Sequence, residues 1–183
     1  MRYIKETINY GLLYIRCDDF QLIGYTHSDW VEDVDERKST TCYVFFLGNR
    51  VFSWSSKKQP IITLSTCEAE YVTASSRVCH IIWLRNLLND LHLNQEQPKK
   101  IYIDSKLVIA LAKNLVFHER SKHIDTRYHF NWETINEKVE LIFVKTQGQP
   151  ADIFTKSLKH EVFSVIWSQL GMITLGLRGN IEN

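Results

Sequence analysis

Apolar residues come along this chain in short runs that stop abruptly in polar ones. Leu22-Ile23-Gly24-Tyr25-Thr26 reads as a buried strand with His27-Ser28-Asp29 as its polar exit. Residues 41–47 are rich in β-formers, Gly48-Asn49 supplies a hairpin turn, and residues 50–56 alternate as a half-buried return strand does. From Ser65-Thr66 to Leu91 the spacing is helical, with Val72, Ser75, Ser76, Cys79, Trp83, Leu84, Leu87, Leu88 and Leu91 on one broad face. Ile101-Tyr102-Ile103 is a short strand ending in Asp104, and a helix opens at once over residues 107–111. Residues 114–124 read as a basic loop, 128–136 as a helix and 139–144 as the last core strand. Residues 149–158 read as a helix with Asp152 in its first turn, 162–170 as an amphipathic helix and 171–183 as a tail. Ahead of the first core strand, residues 2–8 have helical spacing and 11–15 suit a strand or turn.

Two later strands reached through helices must lie parallel to the first by right-handed crossovers, whereas the hairpin pairs antiparallel. The expected fold is therefore α/β, with a five-stranded mixed sheet, the first strand central, and Tyr25, Ile103 and Val144 on neighbouring strands. A chain of 183 residues, 44% hydrophobic and 12% aromatic, suits one folded domain rather than a disordered segment. Residues 20–158 are assigned to it, with 1–19 as a lead-in and 159–183 as a C-terminal helix and tail. The net charge of +1 supplies no strong field, so nucleic-acid contact needs a local patch. Cys17, Cys42, Cys67 and Cys79 form no paired spacing, which suits free thiols in an intracellular, reducing compartment. No apolar run approaches the ~20 residues of a membrane span.

The chemistry sits where strands exit and helices begin. Glu70, Asp104, Asp152 and position 27 could meet at one sheet edge and offer hard divalent cations the oxygen ligands they need. The plainer alternative makes Asp104 and Asp152 helix caps and Glu70 an exposed helix residue. Glu68, two positions from Glu70, points about 200° away on a helix, so only one of the two faces such a site. Lys113, Arg120, Lys122, His123 and Arg127 form a modest positive stripe suited to phosphate contacts. His118, His123 and His129 fit no zinc-binding spacing, and Trp54, Trp83 and Trp167 are expected in the core.

Gly24-Tyr25-Thr26-His27-Ser28-Asp29-Trp30 resembles the GYTDADW or GYTDSDW segment of copia-type LTR retrotransposon polyproteins. Arg37-Lys38-Ser39-Thr40, Ser53-Trp54-Ser55-Ser56-Lys57-Lys58-Gln59 and Leu64-Ser65-Thr66-Cys67-Glu68-Ala69-Glu70-Tyr71 look like the same family's next blocks. So do Ser121-Lys122-His123-Ile124-Asp125, Arg127-Tyr128-His129-Phe130 and Ala151-Asp152-Ile153-Phe154-Thr155-Lys156. The resemblance runs in order over about residues 2–158. It implies a ribonuclease H-like fold, helices on both faces of the sheet, at the C-terminal end of a Pol polyprotein. Its implied activity is cleavage of the RNA strand of RNA–DNA hybrids during reverse transcription, with two Mg²⁺ ions and no small-molecule cofactor. The implied partners are the hybrid and an upstream reverse transcriptase domain, in a cytoplasmic virus-like particle.

Carried over position by position, the catalytic metal ligands are an Asp at position 27, Glu70, Asp104 and Asp152. Here position 27 is His27. A neutral imidazole brings one nitrogen and no charge where two hard cations share a carboxylate. Asp29 shares the strand-face parity but lies ~6–7 Å further along, and substitutes only if the chain curls back. The expectation is an intact fold with impaired cleavage, in which a protonated His27 pairs with Asp104 or Asp152. The competing reading is a non-catalytic nucleic-acid-binding or assembly module that keeps the fold. An integrase or transposase nuclease ranks lower, because it expects Glu where this chain has Asp152.

Overall fold

In the computed structural model of the chain, the described residues are 7–16, 19–30, 37–113 and 137–175. The element order is β1 (Tyr10–Leu12), β2 (Leu22–Asp29), β3 (Thr40–Leu47), β4 (Arg50–Lys58), α1 (Thr66–Asp90), β5 (Lys99–Ile103), α2 (Lys106–Lys113) and β6 (Val139–Phe143). Two 3₁₀ segments (Thr146–Gly148 and Pro150–Phe154), α3 (His160–Gln169) and β7 (Met172–Thr174) follow.

The main sheet has the order β4-β3-β2-β5-β6, which puts the first core strand in the middle as expected. The β3–β4 hairpin turns at Gly48, whose φ of 60° is a conformation glycine adopts without penalty. β2 pairs antiparallel with β3 and parallel with β5, Tyr25 lying opposite Tyr102 and Thr26 opposite Ile103. β6 then adds in parallel to β5, and the Val144 amide continues the ladder to the Ile103 carbonyl at 2.9 Å. Because β2 and β5 run the same way, their C-terminal ends open on one edge, where ligand sites of α/β sheets form.

Strand alternation sends side chains to two separate cores. Leu22, Tyr43, Phe45, Ile101, Ile103 and Val139 meet α1 and α2 on one face. Cys42, Val44, Phe46 and Val51 meet Ala151, Ile166 and Leu170 from the last 3₁₀ segment and α3 on the other. Helices thus cover both faces. Gly24 on β2 leaves the space that the Phe45 ring of β3 fills: an added Cβ would fall 2.7 Å from that ring. Gly24→Ala is expected to destabilise the fold by about 1–3 kcal/mol through overpacking, read as a lower urea midpoint with unchanged slope.

Four expectations are corrected. Residues 149–158 do not form an α-helix. Only a 3₁₀ segment over Pro150–Phe154 forms, because its carbonyls find other donors: the Thr155 hydroxyl bonds Asp152 O at 3.0 Å and the Cys42 thiol bonds Ala151 O at 3.1 Å. The presumed tail contains β7, which pairs antiparallel with β1. The buried face of α1 keeps Val72, Ser75, Leu84 and Leu88 of the expected one but not Trp83 or Leu91. Ala69, Glu70, Thr73, Ala74, Val78, Ile81, Leu84 and Leu88 face inward, leaving Trp83 58% and Leu91 60% exposed. The second half of α1 carries two apolar faces, and the sheet takes the one without tryptophan. Trp54 is 49% exposed on edge strand β4, outside the core, whereas Trp167 is half-buried against Tyr10 and Phe163. The N-terminal helical stretch (save its last two residues), the basic loop, the helix at 128–136 and His118, His123 and His129 lie outside the described residues.

Candidate active site

Three chain switches carry acids to the open edge of the sheet. α1 starts with Ser65 as its cap, the hydroxyl accepting the Glu68 amide at 3.2 Å while Glu68 Oε2 accepts the Leu64 amide at 2.7 Å. That reciprocal capping occupies Glu68 and sets Glu70 on the inner side of the first turn. Glu70 Oε1 then accepts the Ser28 amide at 2.8 Å, tying α1 to the end of β2. Asp104 follows directly on β5, ahead of α2, where Ser105 caps the Val108 amide at 3.3 Å. Asp152 is held by its segment. The wholly buried Gln149 donates to the Thr26 carbonyl at 3.0 Å, and Cys42 Sγ lies 3.3 Å from His27 O and 3.1 Å from Ala151 O.

His27, 8% exposed, lies among all three acids. Its Nδ1 is 3.2 Å from Glu70 Oε1 and 3.2 Å from Asp104 Oδ2, and its Nε2 is 3.4 Å from Asp152 Oδ1. Burial alone would lower the imidazole pKa. Hydrogen bonds to Asp104 and Glu70 and the charges behind them outweigh it, and the value is pushed up to about 10. At neutral pH the ring is an imidazolium whose Nδ1 side faces Glu70 and Asp104, with Nε2 in ion-pair range of Asp152 but not hydrogen-bonded to it. Lys156 adds a second cation 3.2 Å from Asp152 Oδ2, one helical turn on. Three carboxylates against two cations leave one negative charge in excess. Burial raises the Glu70 pKa, against the pull of His27, which eases that excess.

The same electrostatics predict a pH dependence. A folded-state pKa above the unfolded one gives stabilisation that is complete below pH about 6.5 and lost as pH rises toward 10. Urea unfolding at pH 7 and pH 9.5 is expected to give the lower midpoint at pH 9.5. His27→Gln should flatten that difference.

His27, Glu70 and Asp104 each offer one ligand atom, all within 4.8 Å of one another, so the three could hold a divalent ion once His27 has lost its proton. Glu70 Oε2 and Asp152 Oδ1 are buried and find no hydrogen-bond partner among the described residues, as oxygens meant for a cation would be. The fourth position does not fit a pair of Mg²⁺ ions. The imidazolium has no lone pair to give, and it already supplies positive charge between the acids. Asp29 ends β2 opposite Thr40 and is not in that three-residue group. Lys113 closes α2, while Arg120, Lys122, His123 and Arg127 lie outside the described residues. Sequence reasoning missed Lys156, although its i,i+4 spacing from Asp152 is visible, and it missed Gln149, for which no local signal exists.

The order of strands, with Asp104 after β5 beside His27 near the end of β2, is that of a ribonuclease H-like fold. Among solved structures the chain resembles the N-terminal RNase H domain of a Mycobacterium tuberculosis protein, with a TM-score of 0.50 over 81% of this chain and 97% of that one. At 11% identity that likeness concerns the fold. In sequence it is 38% identical over 173 residues to the retrovirus-related Pol polyprotein from transposon TNT 1-94 of Nicotiana tabacum. It is 34% identical over 173 residues to that from transposon RE1 of Arabidopsis thaliana. Each match covers 94% of this chain but only 13% and 12% of the relative. No protein-family model matches. The chain has a ribonuclease H-like fold and is related in sequence to retrotransposon Pol polyproteins, of whose length it spans only a small part.

Proposed function

We propose that this chain is the ribonuclease H-type domain of a retrotransposon Pol polyprotein, directed at the RNA strand of RNA–DNA hybrids, with two-metal hydrolysis impaired by His27. The single observation that carries the reading is the His27 ring within 3.2–3.4 Å of Glu70, Asp104 and Asp152. An unmodified site would bind two Mg²⁺ ions and use them to activate water and stabilise the leaving oxygen. Here the chain's own residues hold protons and charge instead: His27 neutralises the acids, and Ser28 and Lys156 fix Glu70 and Asp152. The same charge pairing supports a second reading, a non-catalytic nucleic-acid-binding or assembly module that keeps the fold.

In this reading residues 20–158 form the working domain. Residues 1–19 lead in from an upstream reverse transcriptase domain, residues 159–183 close the unit, and the setting is an intracellular virus-like particle. The pairing of β1 with β7 gives the two flanking segments a shared anchor. Incubating the chain with a labelled hybrid and Mg²⁺ tests the proposal. Little or no cleavage is expected. Robust Mg²⁺-dependent cleavage would contradict it and point to Asp29 as the replacement ligand.

A further inference from the structure

We propose that the groove between α1 and the edge strand β4 is a second nucleic-acid contact, taking a backbone phosphate of a hybrid strand that lies across the acidic cluster. It rests on the proposed function for the identity of the ligand, and not on catalysis. α1 covers β2, β3 and β5, but the sheet continues one strand further to β4. The trough this leaves has a volume of about 170 Å³, and its walls include Thr41, Ser55, Lys57, Lys58, Ser76 and Arg77. No acidic residue lines it among the described residues.

The register explains the grouping. Lys57 pairs with Thr41 and Ser55 with Tyr43, so these side chains share the face that Tyr43 presents to α1. Arg77 lies across the trough with its guanidinium carbon 4.4 Å from the centre of the Tyr43 ring, and it donates to Ser76 Oγ at 2.8 Å. The stacked Arg77 guanidinium, the Lys57 ammonium and the hydroxyls of Ser55 and Ser76 form a donor set matched to phosphate oxygens. Lys57 and Arg77 facing each other across one groove stand out in a chain whose whole net charge is +1.

A hydrogen-bond chain through buried residues joins the groove to the acidic cluster. Gln59, which also lines the groove, donates from Nε2 to Thr41 Oγ1 at 3.0 Å and to Ser28 Oγ at 3.3 Å, and the Ser28 amide holds Glu70. In this proposal a strand lying across the cluster meets this trough next. The acids repel its phosphates and the groove attracts them, which fixes where along the strand the cluster sits.

The test uses the full chain and a fluorescein-labelled RNA–DNA hybrid in EDTA, where nothing is cut, with anisotropy read across a salt series. Lys57→Gln/Lys58→Gln is expected to weaken binding roughly tenfold at low salt and to lower the slope of log K against log salt by about 1–2. Lys100→Gln, the same change per residue at the opposite end of the sheet, should leave both unaltered. Neutral methylphosphonate walked along each strand should find one position that weakens wild-type binding and leaves the double variant unaffected. Unchanged affinity and slope in the folded double variant would overturn the proposal, and the lysines would then only guard an unpaired sheet edge. Absence of hybrid binding by the wild-type chain would overturn it too. Robust cleavage by the wild-type chain would refute the impairment alone and leave the groove standing.

Discussion

His27→Asp is expected to raise Mg²⁺-dependent cleavage of an RNA–DNA hybrid by about 10²–10³-fold over the wild-type chain, the rate equivalent of several kcal/mol of charge stabilisation. The other three acids are already held around position 27. Glu70 is fixed by the Ser28 amide, Asp104 by the switch from β5 to α2, and Asp152 by the stapled 3₁₀ segment. The carboxylate at position 27 would remove the imidazolium and add a shared ligand in one step. Adding Asp104→Asn to that variant should return cleavage to the wild-type baseline. Initial rates on a labelled hybrid at several Mg²⁺ concentrations check both. A His27→Asp variant that folds, binds hybrid and remains inactive would remove His27 as the cause.

The same substitution is expected to cost ~3–5 kcal/mol of stability in EDTA, because it deletes the cation of a buried ionic cluster and adds a fourth acid. For a chain of this size that is a fall in Tm of about 6–20 °C. His27→Asn, which removes the cation without adding charge, should fall between the two. Mg²⁺ should raise the Tm of His27→Asp by binding only the folded state, and should leave the wild-type Tm in place. Thermal melts with and without Mg²⁺ give the answer without any substrate. Equal Mg²⁺ responses in the two proteins would mean that the wild-type cluster already accepts the ion.

The core strands were legible because each has a clean pattern. Leu22 to Thr26 is an apolar run with a polar exit, and Ile101 to Ile103 ends in an acid that starts a helix. The convergence of Glu70, Asp104 and Asp152 on position 27 followed from such switches and the family blocks. Periodicity failed where it offered two answers. The second half of α1 has apolar residues on two faces, so Trp83 and Leu91 were assigned inward although Val78, Ile81, Leu84 and Leu88 fill that position. It failed again at Pro150 to Phe154, where the helix is cut short by bonds from Cys42, 109 residues distant, and from the Thr155 hydroxyl. No local window contains Cys42. The charge state of His27 was also beyond the residues alone, since it depends on three acids brought together from α1, the end of β5 and the 3₁₀ segment.

The account turns on His27 being the cation that the acidic cluster already holds, and nitrogen-15 NMR of its imidazole ring tests that most directly. The signals are assigned by their loss in His27→Gln and followed from pH 5 to 10.5. The account predicts two protonated ring nitrogens at pH 7.5, a titration midpoint near 10 and no change on adding Mg²⁺ at neutral pH. A neutral ring at pH 7.5, or one whose proton is displaced by Mg²⁺ at that pH, would contradict it.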